Sequence, residues 1–146
     1  MNHGLSHITL IVSDLDQTQE MLEQVFAARC VYASGTQQFS TMEERFFLIG
    51  EVWLATMQGA ALATRSYNHI AFQVDAAELE QRRRRVLALG LEIRPPRSRV
   101  QGEGQSLYFW GPDNHLFELH TGTLKERLAR YAKGMAYPLA PHPPSG

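Results

Sequence analysis

The sequence has a single cysteine, no excess of charge of either sign and no long apolar run. Because Cys30 has no partner in the chain, neither an internal disulfide nor a thiolate metal cluster can form, and we expect a reducing cytoplasmic location. Fourteen Lys and Arg against fifteen Asp and Glu provide no general field for binding nucleic acid or an anionic membrane. Because the first residues show no basic stretch followed by an apolar one, and no apolar segment reaches the ~20 residues that a membrane-spanning helix needs, we expect no export and no membrane segment. We therefore expect any anionic partner to be a small molecule.

The composition is that of one globular domain. Hydrophobic residues make up 44% of the 146 residues and charged residues 20%, and a chain of this length hides roughly 68–70% of its unfolded surface. One core is enough for such a chain. We predict a single catalytic domain over residues 1–133, followed by a Pro-rich tail over 134–146 that holds four of the seven prolines.

An internal repeat divides this domain into two modules, at about 4–60 and 65–122. The segments SHITLIV, from Ser6, and NHIAFQV, from Asn68, share a histidine, an isoleucine and a final valine, and each runs into an acidic residue that can start a helix. A repeat this long indicates two supersecondary units rather than a solenoid. The strand and turn signals predict the order βαβββ in both modules, so the fold class is α+β.

Apolar periodicity and turn residues predict the bounds of the elements. In the first module we expect a helix over about Leu15–Phe26, capped by Ser13 or Asp14, and strands over His7–Val12, Cys30–Ser34, Arg45–Ile49 and Val52–Met57. In the second we expect a helix over Ala76–Leu89, closed by Gly90, and strands over Tyr67–Val74, Leu91–Arg94, Ser106–Trp110 and His115–His120. A closing helix is expected over Leu124–Lys133.

Three side chains on these strands have the chemistry of metal ligands. Because a strand alternates its faces, His7 lies opposite the apolar face of its strand, and His69 does so at the matching position of the second module. Glu118 stands between Phe117 and Leu119 in a segment otherwise suited to a core. An unpaired buried carboxylate costs several kcal/mol, so Glu118 needs a cationic partner.

A divalent cation is one such partner. Two imidazoles and one carboxylate offer it three ligands and leave positions open for water or substrate. The set has no thiolate and suits Mn²⁺, Fe²⁺, Ni²⁺ or Zn²⁺. Alternatively, both histidines are core residues with satisfied hydrogen bonds and Glu118 pairs with an arginine. The matching repeat positions of His7 and His69 favour the metal site.

Four motifs give the sequence a resemblance to a known family. They are GLSHITL from Gly4, YNHIAF from Tyr67, VQGEG from Val100 and DNHLFELH from Asp113. Two strand histidines and a strand glutamate on paired βαβββ modules resemble the vicinal oxygen chelate superfamily, which includes glyoxalase I, extradiol dioxygenases and fosfomycin-resistance enzymes. Over about residues 4–133 the motifs look like the fosfomycin-resistance branch. The resemblance implies a cupped mixed sheet and a metal site, with Mn²⁺ as the expected ion, formed by His7, His69 and Glu118.

The segment TMEERFFLI, from Thr41, is similar to the members of that branch that add water to the epoxide, called FosX. The resemblance implies metal-dependent hydrolysis of the epoxide ring of fosfomycin to a diol, which gives antibiotic resistance. It places Glu44 at the position of the general base. From sequence alone, Glu44 would be read as an ordinary exposed hairpin acid.

The resemblance also implies contacts to the phosphonate of the substrate. The matching positions are those of Ser106, Tyr108 and Arg127. The lysine that thiol-transferring members use is replaced by Ser98, so we assign its charge to Arg99 or Arg97. A guanidinium suits phosphonate oxygens because it can bind two of them at once.

Three further side chains are expected to line the pocket. Thr9 shares the face of His7, and Trp53 comes from the fourth strand. Tyr67, two residues before His69, projects to the same side and could donate its hydroxyl to the substrate. For Trp53, a plain core position is an equal alternative.

The resemblance implies a homodimer in which each metal takes one histidine from one chain and two ligands from its partner. Three other functions stay open. Thiol transfer to fosfomycin would require glutathione or a bacillithiol-type cosubstrate, and a dioxygenase would require Fe²⁺ and O₂. A metal-free antibiotic-binding protein, of the bleomycin-resistance kind, would lack a complete set of metal ligands.

Overall fold

Among the residues that the structure describes, two four-stranded sheets and three helices form the fold. The structure, a computed structural model, describes residues 1–35, 42–96 and 104–134. The first module contains strand β1 (His7–Val12), helix α1 (Leu15–Phe26) and strands β2 (Arg29–Ala33), β3 (Glu44–Ile49) and β4 (Val52–Gln58). The second contains β5 (His69–Gln73), a 3₁₀ turn (Ala76–Glu78) that leads into α2 (Leu79–Ala88), β6 (Glu92–Arg94), β7 (Ser106–Trp110) and β8 (Leu116–His120). Helix α3 (Leu124–Gly134) follows.

Local sequence signals determine both ends of α1 and the end of α2. Helix α1 begins after Asp14, whose carboxylate accepts a hydrogen bond from the Gln17 amide at 3.0 Å. It ends at Ala27, which adopts the left-handed conformation with φ of 54°. Helix α2 is followed by Gly90, whose φ of 71° is disfavoured for residues with a Cβ atom. The predicted closure of this helix by Gly90 is confirmed.

The two sheets have the same topology. The strand order is β1-β4-β3-β2 in the first sheet and β5-β8-β7-β6 in the second. In each sheet one pair is parallel, β1 with β4 or β5 with β8, and the other pairs are antiparallel. The registers correspond too, because His7 lies beside Trp53 where His69 lies beside Leu116. The predicted α+β fold of two βαβββ modules is confirmed.

A single apolar core joins the modules. The ring of Phe26, at the end of α1, lies 5.0 to 5.7 Å from three aromatic rings of the second sheet, those of Phe72, Phe109 and Phe117. The turn before β8 adds polar contacts between the modules. Asp113 Oδ1 accepts a hydrogen bond from the Ser13 amide at 3.1 Å, and His115 Nε2 lies 3.0 Å from the Ile11 carbonyl oxygen.

One face of each opening strand packs in the core, and the other carries the candidate site residues. In β1, Leu10 and Val12 are buried, whereas His7 and Thr9 are exposed. In β5, Phe72 is buried and His69 is exposed. The alternation expected from the sequence therefore orients both histidines away from the core.

Most of the elements have bounds that differ from those predicted, by a single residue at an end except in β5 and α2. Strand β5 starts at His69 rather than Tyr67, because Ser66 Oγ accepts a hydrogen bond from the Asn68 amide at 3.2 Å and turns the chain there. The helix predicted from Ala76 begins with one 3₁₀ turn. Residues 135–146 of the predicted tail lie outside the described residues. Among the described helices, none has the length and apolar character needed to span a membrane.

Candidate metal and substrate site

Two of the three predicted metal ligands meet on the second sheet. Strands β5 and β8 run parallel in a register that places Ala71 beside Glu118, so His69 lies one step away on the same face. His69 Nε2 and Glu118 Oε1 are 3.1 Å apart. The Glu118 side chain is 5% exposed and that of His69 is 25% exposed. The pair therefore combines a buried carboxylate with an imidazole that a ligand can reach.

The hydrogen bond on the far side of the His69 ring determines what its Nε2 atom can do. Nδ1 lies 2.7 Å from the Tyr67 carbonyl oxygen, and because that oxygen can only accept, Nδ1 carries the proton. In a neutral imidazole the lone pair of Nε2 then points at the Glu118 carboxylate. Only a cation between the two atoms, a proton or a metal ion, makes this contact favourable.

The separation of these two donor atoms fits a shared metal ion. Ligand atoms about 2.1 Å from one ion and at right angles to each other are about 3.0 Å apart. The observed distance between His69 Nε2 and Glu118 Oε1 is 3.1 Å. The donor set, one imidazole and one carboxylate without thiolate, suits Mn²⁺ and its neighbours in the first transition series.

The other oxygen of Glu118 belongs to a chain of hydrogen bonds. Ser106 Oγ donates to Glu118 Oε2 at 2.5 Å and lies 2.6 Å from His120 Nδ1. Arg127 Nη2 donates to His120 Nε2 at 3.2 Å. Ser106 and His120 face each other across the β7–β8 pair, which accounts for their contact. The chain leads from the guanidinium of Arg127 to the carboxylate of Glu118.

Two tyrosines lie on another side of Glu118. Tyr108 is opposite Glu118 in the β7–β8 register and is 4% exposed. The Tyr67 hydroxyl donates to the Tyr108 hydroxyl at 3.4 Å. Burial, followed by the hydrogen bonds with Tyr67 and Glu118, raises the pKa of Tyr108 to about 12. The Tyr108 hydroxyl therefore stays protonated near neutral pH.

A cavity of about 290 Å³ lies beside these groups. Its lining includes four candidate or associated site residues, His69, Glu118, His120 and Arg127. A larger cavity of about 520 Å³ lies against the end of α1 and is lined by Phe26 among others. That larger cavity contains none of the predicted site residues, and a cavity of about 410 Å³ is lined by His69 alone among them, so the cavity of about 290 Å³ is the candidate substrate site.

Arg94 also belongs to this face, although it is not among the site residues predicted from the sequence. Arg94 pairs with Tyr108 across β6 and β7, and its guanidinium carbon lies 4.7 Å from the ring centroid of Tyr67. The alternation of side chains along the strand was a signal available in the sequence. The register that pairs Arg94 with Tyr108 across β6 and β7 could not be read from the sequence. Arg99, the predicted phosphonate contact, and its alternative Arg97 lie outside the described residues.

The third predicted ligand, His7, lies on the other sheet. Its ring packs against Trp53 with centroids 4.3 Å apart, and its Nδ1 atom lies 3.0 Å from Ser6 Oγ. Considering residues 1–35, 42–96 and 104–134 of one chain, no three His, Cys, Asp or Glu side chains are grouped to hold a metal ion. A single chain thus brings His69 and Glu118 together but not His7.

The remaining candidates lie on the site-bearing face of the first sheet. Thr9 follows His7 on that face of β1, and Trp53 lies beside His7 in β4. Glu44 is the first residue of β3 and is partly buried. Because the registers of the two sheets correspond, Glu44 occupies the position in the first sheet that Ser106 occupies in the second sheet. One sheet therefore carries His7 and the predicted base, and the other carries two ligands and two of the predicted phosphonate contacts, Ser106 and Tyr108.

Comparison with known sequences finds one family and close relatives. The family model of the Glyoxalase/Bleomycin resistance protein/Dioxygenase superfamily matches residues 4–119. Fosfomycin resistance protein FosX of Mesorhizobium japonicum is 62% identical over 135 residues, which cover 92% of this chain and 97% of the relative. Metallothiol transferase FosB of Shouchella clausii is 39% identical over 91% of this chain and 90% of its own.

Solved structures give the same family. The crystal structure of FosX from Mesorhizobium loti superposes with a TM-score of 0.80 at 58% identity and covers 89% of this chain and 100% of its own. A variant of FosX from Listeria monocytogenes, solved with Mn(II) and 1S,2S-dihydroxypropylphosphonic acid, superposes with a TM-score of 0.82 at 52% identity. That comparison covers 90% of this chain and 99% of the other.

Proposed function

The chain belongs to the Glyoxalase/Bleomycin resistance protein/Dioxygenase superfamily and, within it, to the FosX fosfomycin resistance proteins, and from this premise we propose that it hydrolyses fosfomycin. Water opens the epoxide ring to a diol, which inactivates the antibiotic. One observation carries the proposal: the lone pair of His69 faces the buried Glu118 carboxylate across 3.1 Å, beside a cavity bordered by Arg127. The FosX relative that binds Mn(II) with a dihydroxypropylphosphonic acid supports the same metal and the same product.

The metal ligands in this proposal are His69, Glu118 and His7 of the partner subunit. When bound there, a divalent cation supplies Lewis-acid stabilisation of the negative charge that develops on the epoxide oxygen. The protein holds the donor atoms in place through hydrogen bonds on their far sides. Nδ1 of His69 is fixed by the Tyr67 carbonyl, and Oε2 of Glu118 is fixed by Ser106.

Glu44 is the general base. Its carboxylate takes a proton from the attacking water as the water oxygen bonds to an epoxide carbon and the C–O bond of the ring breaks. The oxygen released from the ring takes up a proton, so the product is a neutral diol group. Because Glu44 and His7 share one sheet, Glu44 of the partner subunit would accompany His7 of the partner subunit at each site.

The phosphonate would bind beside Arg127, which lines the same cavity as His69. Arg127 provides a fixed positive charge, and only one of its donors is used by His120. Tyr108 contributes a hydroxyl that stays protonated, and Ser106 and Tyr67 lie next to it on the same face. Thr9 and Trp53 of the first sheet would close the cavity from the partner subunit, and Arg99 would add a second charge.

We infer a homodimer from the division of the ligands between two sheets. Each chain offers His7 on one sheet and the pair His69 and Glu118 on the other, so two chains can complete two equivalent sites. We place the protein in the cytoplasm, where its one thiol, Cys30, stays reduced.

Thiol transfer to fosfomycin is the second candidate, because FosB relatives are metallothiol transferases. The higher identity to FosX, 62% against 39%, favours water over a thiol as the nucleophile. Phosphorus NMR of the protein incubated with Mn²⁺ and fosfomycin, with and without thiol, separates the two. We expect the diol without thiol.

Other results of that incubation would refute hydrolysis. A product that forms only with glutathione or bacillithiol identifies a transferase. Turnover that depends on Fe²⁺ and O₂ identifies a dioxygenase. Unchanged fosfomycin bound to metal-free protein identifies a binding protein.

A further inference from the structure

His120 makes contacts on both sides of its ring, and they lead to different parts of the proposed site. Nε2 meets Arg127 Nη2 at 3.2 Å, and Nδ1 meets Ser106 Oγ at 2.6 Å. Ser106 in turn reaches Glu118 Oε2 at 2.5 Å, and Nδ1 itself lies 3.3 Å from that oxygen. The His120 side chain is 13% exposed, so water has little access to these bonds.

Arg127 sets the direction of every hydrogen bond in the series that leads from it to Glu118. A guanidinium has donors only, so His120 Nε2 must accept and the ring proton lies on Nδ1. The Nδ1 proton is then available to Ser106 Oγ, and the serine hydroxyl donates its own proton to Glu118 Oε2. The bonds run one way, from the cation of Arg127 to the carboxylate of Glu118.

We propose that His120 is a positioning residue that orients both the metal ligand and the phosphonate contact, an inference that rests on the proposed function. Through Nδ1 and Ser106 it holds Oε2 of Glu118, which leaves Oε1 turned toward His69. Through Nε2 it holds one nitrogen of Arg127, whose side chain lines the cavity. The two nitrogens of one ring thus serve two separate tasks.

Two substitutions separate these tasks. In His120→Asn, the side-chain amide lies near the place of Nδ1, so the bond to Ser106 is kept and the bond to Arg127 is lost. In His120→Gln, the longer side chain brings the amide near the place of Nε2, so Arg127 keeps its partner and Ser106 loses its own. A residue that merely fills space would give the same defect in both variants.

The experiment measures metal affinity and substrate binding in the full-length protein. Mn(II) affinity is measured by electron paramagnetic resonance of the free ion without substrate, and KM for fosfomycin is measured at saturating Mn(II). We expect His120→Gln to weaken Mn(II) binding by roughly 10–100-fold with KM nearly unchanged. We expect His120→Asn to raise KM by about 10-fold or more with Mn(II) affinity nearly unchanged. The matched control is His3→Asn in the exposed N-terminal segment, which should leave both quantities at the wild-type level.

The inference would be overturned if both variants showed the same change in Mn(II) affinity and in KM, or if both kept the wild-type values. If either variant fails to fold, Ser106→Ala removes the hydrogen bonds that connect His120 to Glu118. This variant must then weaken Mn(II) binding to an extent similar to that expected for His120→Gln. Failure of the proposed function has a different signature, because the wild-type protein itself would then not hydrolyse fosfomycin in the presence of Mn(II).

Discussion

Replacing Glu44 by glutamine removes the proposed base and changes little else. The carboxylate forms no ion pair among the described residues, so the substitution leaves no charged partner without its counterpart. A general base contributes typically ~10²–10⁴-fold to a rate, which corresponds to about 2.7–5.4 kcal/mol of activation free energy. We therefore expect kcat of Glu44→Gln to fall by that factor. Glu44 lies at one end of β3, whereas the part of β3 that is aligned with His7 across the sheet lies toward the other end. Mn(II) affinity should therefore stay at the wild-type value.

The neighbouring glutamate supplies the control. Glu43 lines a surface groove with Asp14 and Arg45, away from the site, so Glu43→Gln should keep wild-type turnover. Initial rates of diol formation are followed by phosphorus NMR at saturating Mn(II) and fosfomycin. Hydrolysis retained by Glu44→Gln, or lost equally in Glu43→Gln, would refute the assignment of the base.

Two further predictions concern Tyr108 and the core. The raised pKa of about 12 means that Tyr108 keeps its proton as pH rises through 10, where ordinary tyrosines ionise. Because the folded-state pKa lies above the unfolded value, Tyr108 contributes stability that is fully present below about pH 10 and is lost as pH rises toward 12. In ¹³C NMR of the protein labelled at tyrosine Cζ, the Tyr108 signal is the one that is absent from the spectrum of Tyr108→Phe. As pH rises, this signal should be the last of the tyrosine signals to titrate. A titration midpoint near pH 10 for this signal in the folded protein would contradict the prediction. Phe26→Ala should lower the free energy of unfolding by about 3–5 kcal/mol, because the ring packs on Phe72, Phe109 and Phe117. Urea unfolding measures the loss, and a change below about 1 kcal/mol would mean that the ring does not join the modules.

Most of the fold could be predicted because its signals are local. The bounds of β1, α1 and β7 follow from apolar alternation and from the cap at Asp14, which depends on residues close in sequence. The two sheets followed from the repeat, since equal patterns give equal modules. The 3₁₀ turn at Ala76 and the late start of β5 depend on single hydrogen bonds in the turns, which the apolar pattern does not contain.

The site was predictable only in part. The pairing of His69 with Glu118 follows from two strands that the pattern places on one face. The pattern does not say which sheet of which chain lies opposite, so it could not predict that His7 is absent from that pair within one chain. Arg94 was missed because its place beside Tyr108 depends on the register of a hairpin.

In the proposed homodimer two chains share each metal site, and mixing two inactive variants tests this directly. His7→Ala and Glu118→Gln each remove one ligand from every site of their own homodimers. In a mixed dimer, His7 of one chain can meet Glu118 of the other, so one of the two sites is intact. Equal amounts unfolded and refolded together should recover about a quarter of wild-type activity, because about half of the dimers are mixed. A refolded mixture as inactive as its two components would contradict the shared site.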